Sequence, residues 1–293
     1  MPELRTTTLV DAPPRTVAAA LLDAPLLTRA VRGLGVRLTS DGPVLHEGAT
    51  LTAAAGPVTG VLRVTRADTT GLSAELVTGP LPRLALATDL RHTGGGTVVV
   101  DRVEWTSPGG QVGRFADVVV GRGLALKVLE ARATAVSRRS RELLDARVVV
   151  AAAVVHDGRL LVQQRAYPAD AAGRWELPGG RVEPGESDHD AVTRECAEEL
   201  AVTVEPTTQV GPDVPLRADL VLRAYAARLL SGTPTPTDHQ ATRWITAADL
   251  ATLDWLPADR ALLPALHPLL PRVVPPGRAS RTFRSRESYV QDP

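Results

Sequence analysis

Residues 179–202 read GGRVEPGESDHDAVTRECAEELAV. Glu195, Glu198 and Glu199 stand at i, i+3 and i+4, so on a helix of about 3.6 residues per turn they share one face. Like charges spaced this way repel by a few tenths of a kcal/mol per pair, and the pattern asks for something positive among them. Arg194 is one candidate. Carboxylates that cannot all pair with it suit a hard cation such as Mg²⁺ or Mn²⁺, which takes oxygen ligands and shares substrate phosphates. The flanking residues predict how the face is held. Glu183-Pro184-Gly185 reads as a turn, Ser187 as an N-cap with Asp190 three residues on, and Val192, Cys196 and Leu200 as an apolar seam at i, i+4 and i+8. The acidic face then lies beside the loop carrying Gly179 and Gly180.

Upstream, residues 148–165 (VVVAAAVVHDGRLLVQQR) form two β-rich runs around His156-Asp157-Gly158, and Asp-Gly is the strongest short hairpin signal. A new folding unit is therefore expected from about residue 146. Ahead of it, residues 113–144 carry an apolar stripe through Phe115, Val119, Leu126, Leu129, Val136 and Leu143, with arginines gathered in the last turns. This predicts a long helix, loosened at Gly121 and Gly123, that closes a first domain. Within that domain, LRTTTLV is a strand candidate and PPRTVAAALLDAPLLTRAV two short helices parted near Asp23-Ala24-Pro25. Short β-like runs punctuated by turn residues follow, among them VRLTS, GATLTAA, VTGVLRVTRA, LSAELVT, LALATDLRH and GTVVVDRVEW. The order strand, helices, antiparallel strands, long helix is an α+β pattern.

The bulk properties limit the alternatives. Two domains are expected from 293 residues. Lys plus Arg equals Asp plus Glu at 33 each, so overall charge points to neither nucleic acid nor membrane and any electrostatic function is local. A single cysteine, Cys196, excludes an intramolecular disulfide and a cysteine-based zinc site, and suits a reducing compartment. With no apolar leader and no run of 18 apolar residues, the sequence reads as a soluble cytoplasmic protein with no membrane partner. It assigns no oligomeric state.

The spacing from Gly180 is specific. Five residues separate it from Glu186, seven more lead to Arg194-Glu195, and Glu198-Glu199 follow after Cys196 and Ala197, then Leu200, Ala201 and Val202. This resembles the Nudix box. Cys196 stands where an aliphatic is usual, and Ala201 replaces the last glycine, whose place at the helix end often needs positive φ. The resemblance implies an α/β/α sandwich with a mixed sheet over residues 146–273 and metal-dependent hydrolysis of a diphosphate. It implies that Glu198 and Glu199 bind Mg²⁺ or Mn²⁺ with the Gly180 carbonyl. Glu195 corresponds to the general base or water-positioning group, Arg194 orients it, and Glu186 supports Arg194 or makes an outer metal contact. Asp238, ahead of Trp244, corresponds to a second-metal ligand or alternative base; its structural reading is a loop aspartate.

The flanks LLVQQRA, GRWELPGGRVEPGES and HQATRWITAADLATLDWLPADRALLPAL resemble MutT and CTP pyrophosphohydrolase-like members. By that resemblance Arg165 approaches the nucleotide, and Leu177 and the segment Trp255 to Asp259 line the base pocket. An ionised Asp259 accepts hydrogen bonds, as from an exocyclic amine, and donates only if protonated; its alternative is a helix N-cap. The implied reaction converts a nucleoside triphosphate, such as CTP, 5-methyl-dCTP or 8-oxo-dGTP, to monophosphate and pyrophosphate, clearing the nucleotide pool. The rivals are hydrolysis of another nucleoside diphosphate derivative and a ligand sensor that merely binds nucleotide.

In the first half, TTTLVDAPPRTVAAALLD and SPGGQVGRFADVVV followed by the Arg-rich helix resemble the START-like helix-grip (SRPBCC) superfamily. That implies, for residues 1–145, a curved antiparallel sheet around the long helix and a cavity for an apolar small molecule. Other features take structural readings: His189 as a solvated helix residue, His239 as no metal ligand for want of a second His or Cys, and Gly94-Gly95-Gly96 as a hairpin turn. Trp105, Trp175, Trp244 and Trp255 sit in core-like settings, with Trp175 able to border the pocket. The Arg-rich tail, residues 274–293, has little apolar content and is expected to be disordered; no nucleic-acid partner is expected.

Overall fold

The computed structural model describes residues 2–106 and 122–271. Phe115, Val119, Gly121 and the tail from 274 lie outside the described residues.

The first half opens with β1 (Glu3–Val10), α1 (Pro14–Leu22) and α2 (Ala24–Arg32), then β2 (Val36–Ser40), β3 (Thr50–Ala55), β4 (Val58–Asp68), β5 (Gly71–Thr78), β6 (Arg83–Thr93) and β7 (Gly96–Thr106), and ends in α3 (Arg122–Leu144). The strands form one antiparallel sheet in the order β1-β7-β6-β5-β4-β3-β2. The helix pair parts where expected: Asp23 Oδ1 accepts from Leu26 N at 2.9 Å and caps α2. The triglycine forms the β6–β7 turn. In α3, Leu129, Val136 and Leu143 are buried, while Leu126 stays exposed. Between α3 and the sheet lies an apolar cavity of about 370 Å³, lined by Leu51, Leu62, Leu86, Trp105 and Leu129 among others, with Arg132 contributing a charge.

The second half comprises β8 (Arg147–His156), β9 (Arg159–Gln164), β10 (Trp175–Glu176), α4 (Asp188–Leu200), β11 (Thr203–Arg217), β12 (Leu220–Ser231), β13 (Ala241–Ile245), α5 (Pro257–Arg260) and α6 (Leu263–Leu266). The sheet is mixed: the path β10-β9-β8-β12-β11 is antiparallel except for the parallel β8–β12 pair, and β13 pairs with β9. The Asp-Gly hairpin forms with φ of 48° at Asp157 and 69° at Gly158, the two positive values a tight primed turn needs. Strand β8 reads as a near-continuous apolar run because both faces are covered. Val150, Ala152 and Val154 pack with Ala191, Val192, Cys196 and Leu200 of α4; Ala151 and Ala153 face the opposite cluster with Leu262 and Leu266.

The two halves share packing. Helix α1 lies against β11, and Val17 and Leu21 belong to the same buried cluster as Val210 and Val214. Arg139 of α3, 4% exposed, donates through Nε to Asp23 Oδ2 at 3.2 Å and through Nη2 to the Arg217 carbonyl at 3.0 Å, with Nη1 on the Ala218 carbonyl. Among the described residues, no helix is long and apolar enough to cross a membrane.

Candidate active site

Helix α4 carries the glutamates, and its two ends set their aim. At the start, Ser187 Oγ accepts from Asp190 N at 3.2 Å and donates to Asp190 Oδ2 at 2.7 Å, so the predicted cap forms. At the end, Ala201 adopts φ 55° and ψ 36°, the left-handed conformation, and its N–H closes on the Ala197 carbonyl. The helix therefore stops where the glycine would have stopped it, with an alanine held in a strained state. Cys196 is fully buried, and burial pushes its thiol up to about 12, with Glu199 and Glu195 adding to the shift; it acts as a small apolar side chain.

The loop before α4 fits against β8 because two positions lack a side chain. Val150 N donates to the Gly180 carbonyl at 2.8 Å and Ala152 N to the Pro178 carbonyl at 2.7 Å. A Cβ on Gly179, whose φ is 151°, would lie 2.1 Å from the Val150 carbonyl oxygen; one on Gly180 would lie 2.2 Å from Glu195 Oε1. The Glu195 carboxylate therefore rests on the bare Cα of Gly180.

Arg194 gathers three of the four glutamates. Its Nε and Nη2 bond both oxygens of Glu186 at 2.9 Å, its Nη1 donates to Glu195 Oε1 at 2.9 Å and Glu198 Oε2 at 3.2 Å, and Nη2 also reaches the Arg181 carbonyl at 2.9 Å. The expectation that the carboxylates cannot all pair with Arg194 holds: its five-donor guanidinium fork serves Glu186, Glu195 and Glu198, and Glu199 finds other partners. The Arg194 bonds hold Glu186 below the ordinary carboxylate range, and the Glu186 bonds in turn keep Arg194 firmly protonated.

Glu199 is held elsewhere. Its Oε2 accepts from Gln163 Nε2 at 2.9 Å and from Gly179 N at 3.2 Å, while its Oε1 takes no hydrogen bond from the described residues. Burial raises its pKa, and the bond from Gln163 and the proximity of His239 work against that rise. The segment after β12 is strapped to the helix end: Thr237 N donates to the Glu199 carbonyl at 3.0 Å, Thr237 Oγ1 to the Glu198 carbonyl at 3.2 Å, and Thr235 N to the Leu200 carbonyl at 3.0 Å. These bonds use carbonyls that the helix leaves free and bring Asp238 and His239 to the site. Asp238 is exposed. His239, read from sequence as no metal ligand, pairs with a carboxylate: its Nε2 lies 3.0 Å from Glu176 Oε1, and its side chain is 10% exposed.

The residues expected to line a nucleotide pocket meet across β10. Glu176, 8% exposed, also binds Arg165 Nη1 through Oε2, and Arg165 Nε reaches the Tyr167 carbonyl at 3.0 Å. Next to it, Leu177 N donates to Asp259 Oδ1 at 2.9 Å. Asp259 lies inside α5, whose N-cap position is Leu256 without a side-chain cap; the N-cap reading is corrected, because the carboxylate serves the neighbouring strand instead. Trp175 and the segment after Leu253 hold this arrangement, through Trp175 N to the Asp254 carbonyl at 2.8 Å and Leu256 N to the Trp175 carbonyl at 2.9 Å. Burial pushes the Asp259 carboxyl up to about 7, against the lowering effect of the Leu177 N–H.

The donor set suits a hard divalent cation without being preformed. Oxygen donors share one helix face, Glu199 Oε1 is unclaimed, and Glu198 is exposed beyond its contact with Arg194. Yet among the described residues no three His, Cys, Asp or Glu side chains already converge to hold an ion, because Arg194 draws Glu186, Glu195 and Glu198 toward itself. Sequence reasoning missed Gln163 and Glu176. A signal for the first was present: Gln163 and Gln164 interrupt an apolar strand, and a glutamine buried to 1% exposure needs a partner.

The NUDIX domain model matches residues 146–266. This chain is similar to the putative 8-oxo-dGTP diphosphatase 2 of Mycobacterium tuberculosis H37Rv, 48% identical over 116 residues that cover 39% of this chain and 82% of that protein. It is similar to the CTP pyrophosphohydrolase of Escherichia coli K12, 34% identical over 123 residues, 41% of this chain and 91% of that one. The solution structure of the E. coli ORF135 protein matches at 32% identity, 45% of this chain, 95% of that chain and a TM-score of 0.39. Through the domain spanning residues 146–266, the chain belongs to the Nudix family of hydrolases acting on diphosphate bonds.

Proposed function

We propose that the second half hydrolyses a nucleoside triphosphate to the monophosphate and pyrophosphate, with Mg²⁺ or Mn²⁺ held by Glu198, Glu199, the Gly180 carbonyl and Asp238. The observation that carries this reading is Glu199, fixed through Oε2 by Gln163 and Gly179 with Oε1 left unclaimed. When bound, a divalent cation neutralises phosphate charge and activates a water. Glu195, seated on Gly180 and oriented by Arg194, would take a proton from the attacking water or position it, and Glu186 would keep Arg194 in place. Water attacks phosphorus, the bridging P–O bond breaks, and pyrophosphate leaves with the electron pair.

The base is read beside Leu177 and Asp259, and Arg165 steadies the nucleotide from its anchor on Glu176. A carboxyl near 7 is available at neutral pH both as acceptor and, when protonated, as donor. That suits both an exocyclic amine, as in CTP or 5-methyl-dCTP, and the altered edge of 8-oxo-dGTP, in line with the names of the two relatives. Clearing such nucleotides from the pool, in the cytoplasm, is the role this chemistry serves. The test is pyrophosphate release with Mg²⁺ over CTP, dCTP, 5-methyl-dCTP, 8-oxo-dGTP, dGTP and ADP-ribose, with Glu199→Gln as control. Selective turnover of one triphosphate that Glu199→Gln abolishes supports the reading; turnover unchanged in Glu199→Gln refutes the metal assignment.

A second reading applies to the first half. The apolar cavity of about 370 Å³ between α3 and the sheet supports a helix-grip domain that carries an apolar small molecule. Trp105 lines this cavity, so its fluorescence reports occupancy. Quenching by apolar probes in wild type that Ala74→Phe abolishes is the expected result.

A further inference from the structure

Gln163 lies at the centre of the site, yet neither the acidic helix nor the pocket reading uses it. It sits on β9 opposite Glu176 of β10 and Thr242 of β13, so three strands fix its backbone. Its side chain, at 1% exposure, is among the largest fully buried ones, and a polar group in that setting is costly unless it is bonded. Half of its amide is satisfied: Nε2 donates to Glu199 Oε2 at 2.9 Å. The orientation follows from that contact, since a carboxylate oxygen requires the NH₂ end. The carbonyl end, Oε1, is a buried acceptor with no partner, and His239 Nδ1 is a second unpartnered buried atom in the same site. Unfilled buried acceptors and ring nitrogens mark places where water or ligand belongs.

We propose that Gln163 is a positioning residue for the divalent cation: it clamps Glu199 by Oε2 so that Oε1 is presented outward, and its own Oε1 accepts from water around the ion. The inference rests on the metal-dependent reading above. Glu199, five residues after Arg194, lies on a different side of α4 from it, and the clamp fixes where its carboxylate goes instead. Arg194 reaches along its own face of α4, whereas Glu199 is bonded to the sheet through Gln163 and to the loop through Gly179. Partners that orient a metal ligand typically contribute about 10- to 100-fold to metal affinity.

The experiment measures Mn²⁺ binding to the full chain by electron paramagnetic resonance, with no nucleotide, in wild type, Gln163→Met, Glu199→Gln and the double variant. Thermal melting confirms that each is folded. Gln163→Met is expected to weaken Mn²⁺ about 10- to 100-fold, Glu199→Gln at least as much, and the double variant by clearly less than the two effects combined, because Gln163 acts largely through Glu199. If Gln163→Met does not fold, Gln163→Asn, which keeps the amide and shortens its reach, replaces it with the same expected direction. Wild-type affinity in the Gln163 variant while Glu199→Gln is impaired overturns the role of Gln163, as does full additivity in the double variant. Equal affinity of Glu199→Gln and wild type, or no binding by wild type, overturns the metal reading itself.

Discussion

Asp259→Asn should change the pH dependence of stability as well as base choice. The Asp259 carboxyl is 4% exposed and pushed from 3.8 up to about 7, chiefly by burial. Its folded value exceeds its unfolded one, so between about pH 4 and pH 7 the folded protein holds a proton that the unfolded chain has lost. The stability this group contributes is fully present below the unfolded value and is lost as pH rises to about 7. The gap corresponds to roughly 4 kcal/mol as an upper figure, a large part of the 5–15 kcal/mol typical of a folded protein. Asparagine keeps an oxygen for the Leu177 N–H, which lies 2.9 Å from Asp259 Oδ1, and does not ionise. Urea unfolding from pH 4 to pH 8 is the assay. The variant should match wild type near pH 4 and exceed it by a few kcal/mol at pH 8, with the difference growing mainly below pH 7. A constant difference across that range would refute the assignment of a raised carboxyl at this position.

Three further outcomes follow from the geometry. Ala201→Gly relieves a residue at φ 55°; after the added freedom of the unfolded chain is counted, it should stabilise by about 0.5–1 kcal/mol and raise Tm by roughly 2 °C, read by calorimetry. Gly180→Ala places a Cβ 2.2 Å from Glu195 Oε1. Because the side chain can swing away, Tm should hardly move, while the displaced carboxylate should lower kcat about 10- to 100-fold in the pyrophosphate assay. Arg139→Met leaves Asp23 without its buried cation and two carbonyls without donors. It should cost about 3–5 kcal/mol in urea unfolding, with partial recovery when Asp23→Asn is added.

The loop, cap and acidic helix were legible because each depends on neighbours within one or two turns. Ser187 and Asp190, the i, i+4, i+8 seam and the Asp157-Gly158 turn are local chemistry that the chain states wherever it folds. The strands of the first half were legible for the same reason, as short β-rich runs between turn residues. Helix spacing sets Glu199, five residues on, away from Arg194, but what holds it is not local: Gln163 and Gly179 come from a strand and a loop 36 and 20 residues away. Asp259 read in sequence as a base-pocket residue or, alternatively, a cap; only the approach of Leu177, 82 residues distant, gives its carboxylate the partner it has, and burial raises the carboxyl. The sequence by itself determined which oxygens could serve a cation and a phosphate. The tertiary structure decided their partners, because hydrogen bonds are short and directional, and only the folded sheet brings distant donors within reach.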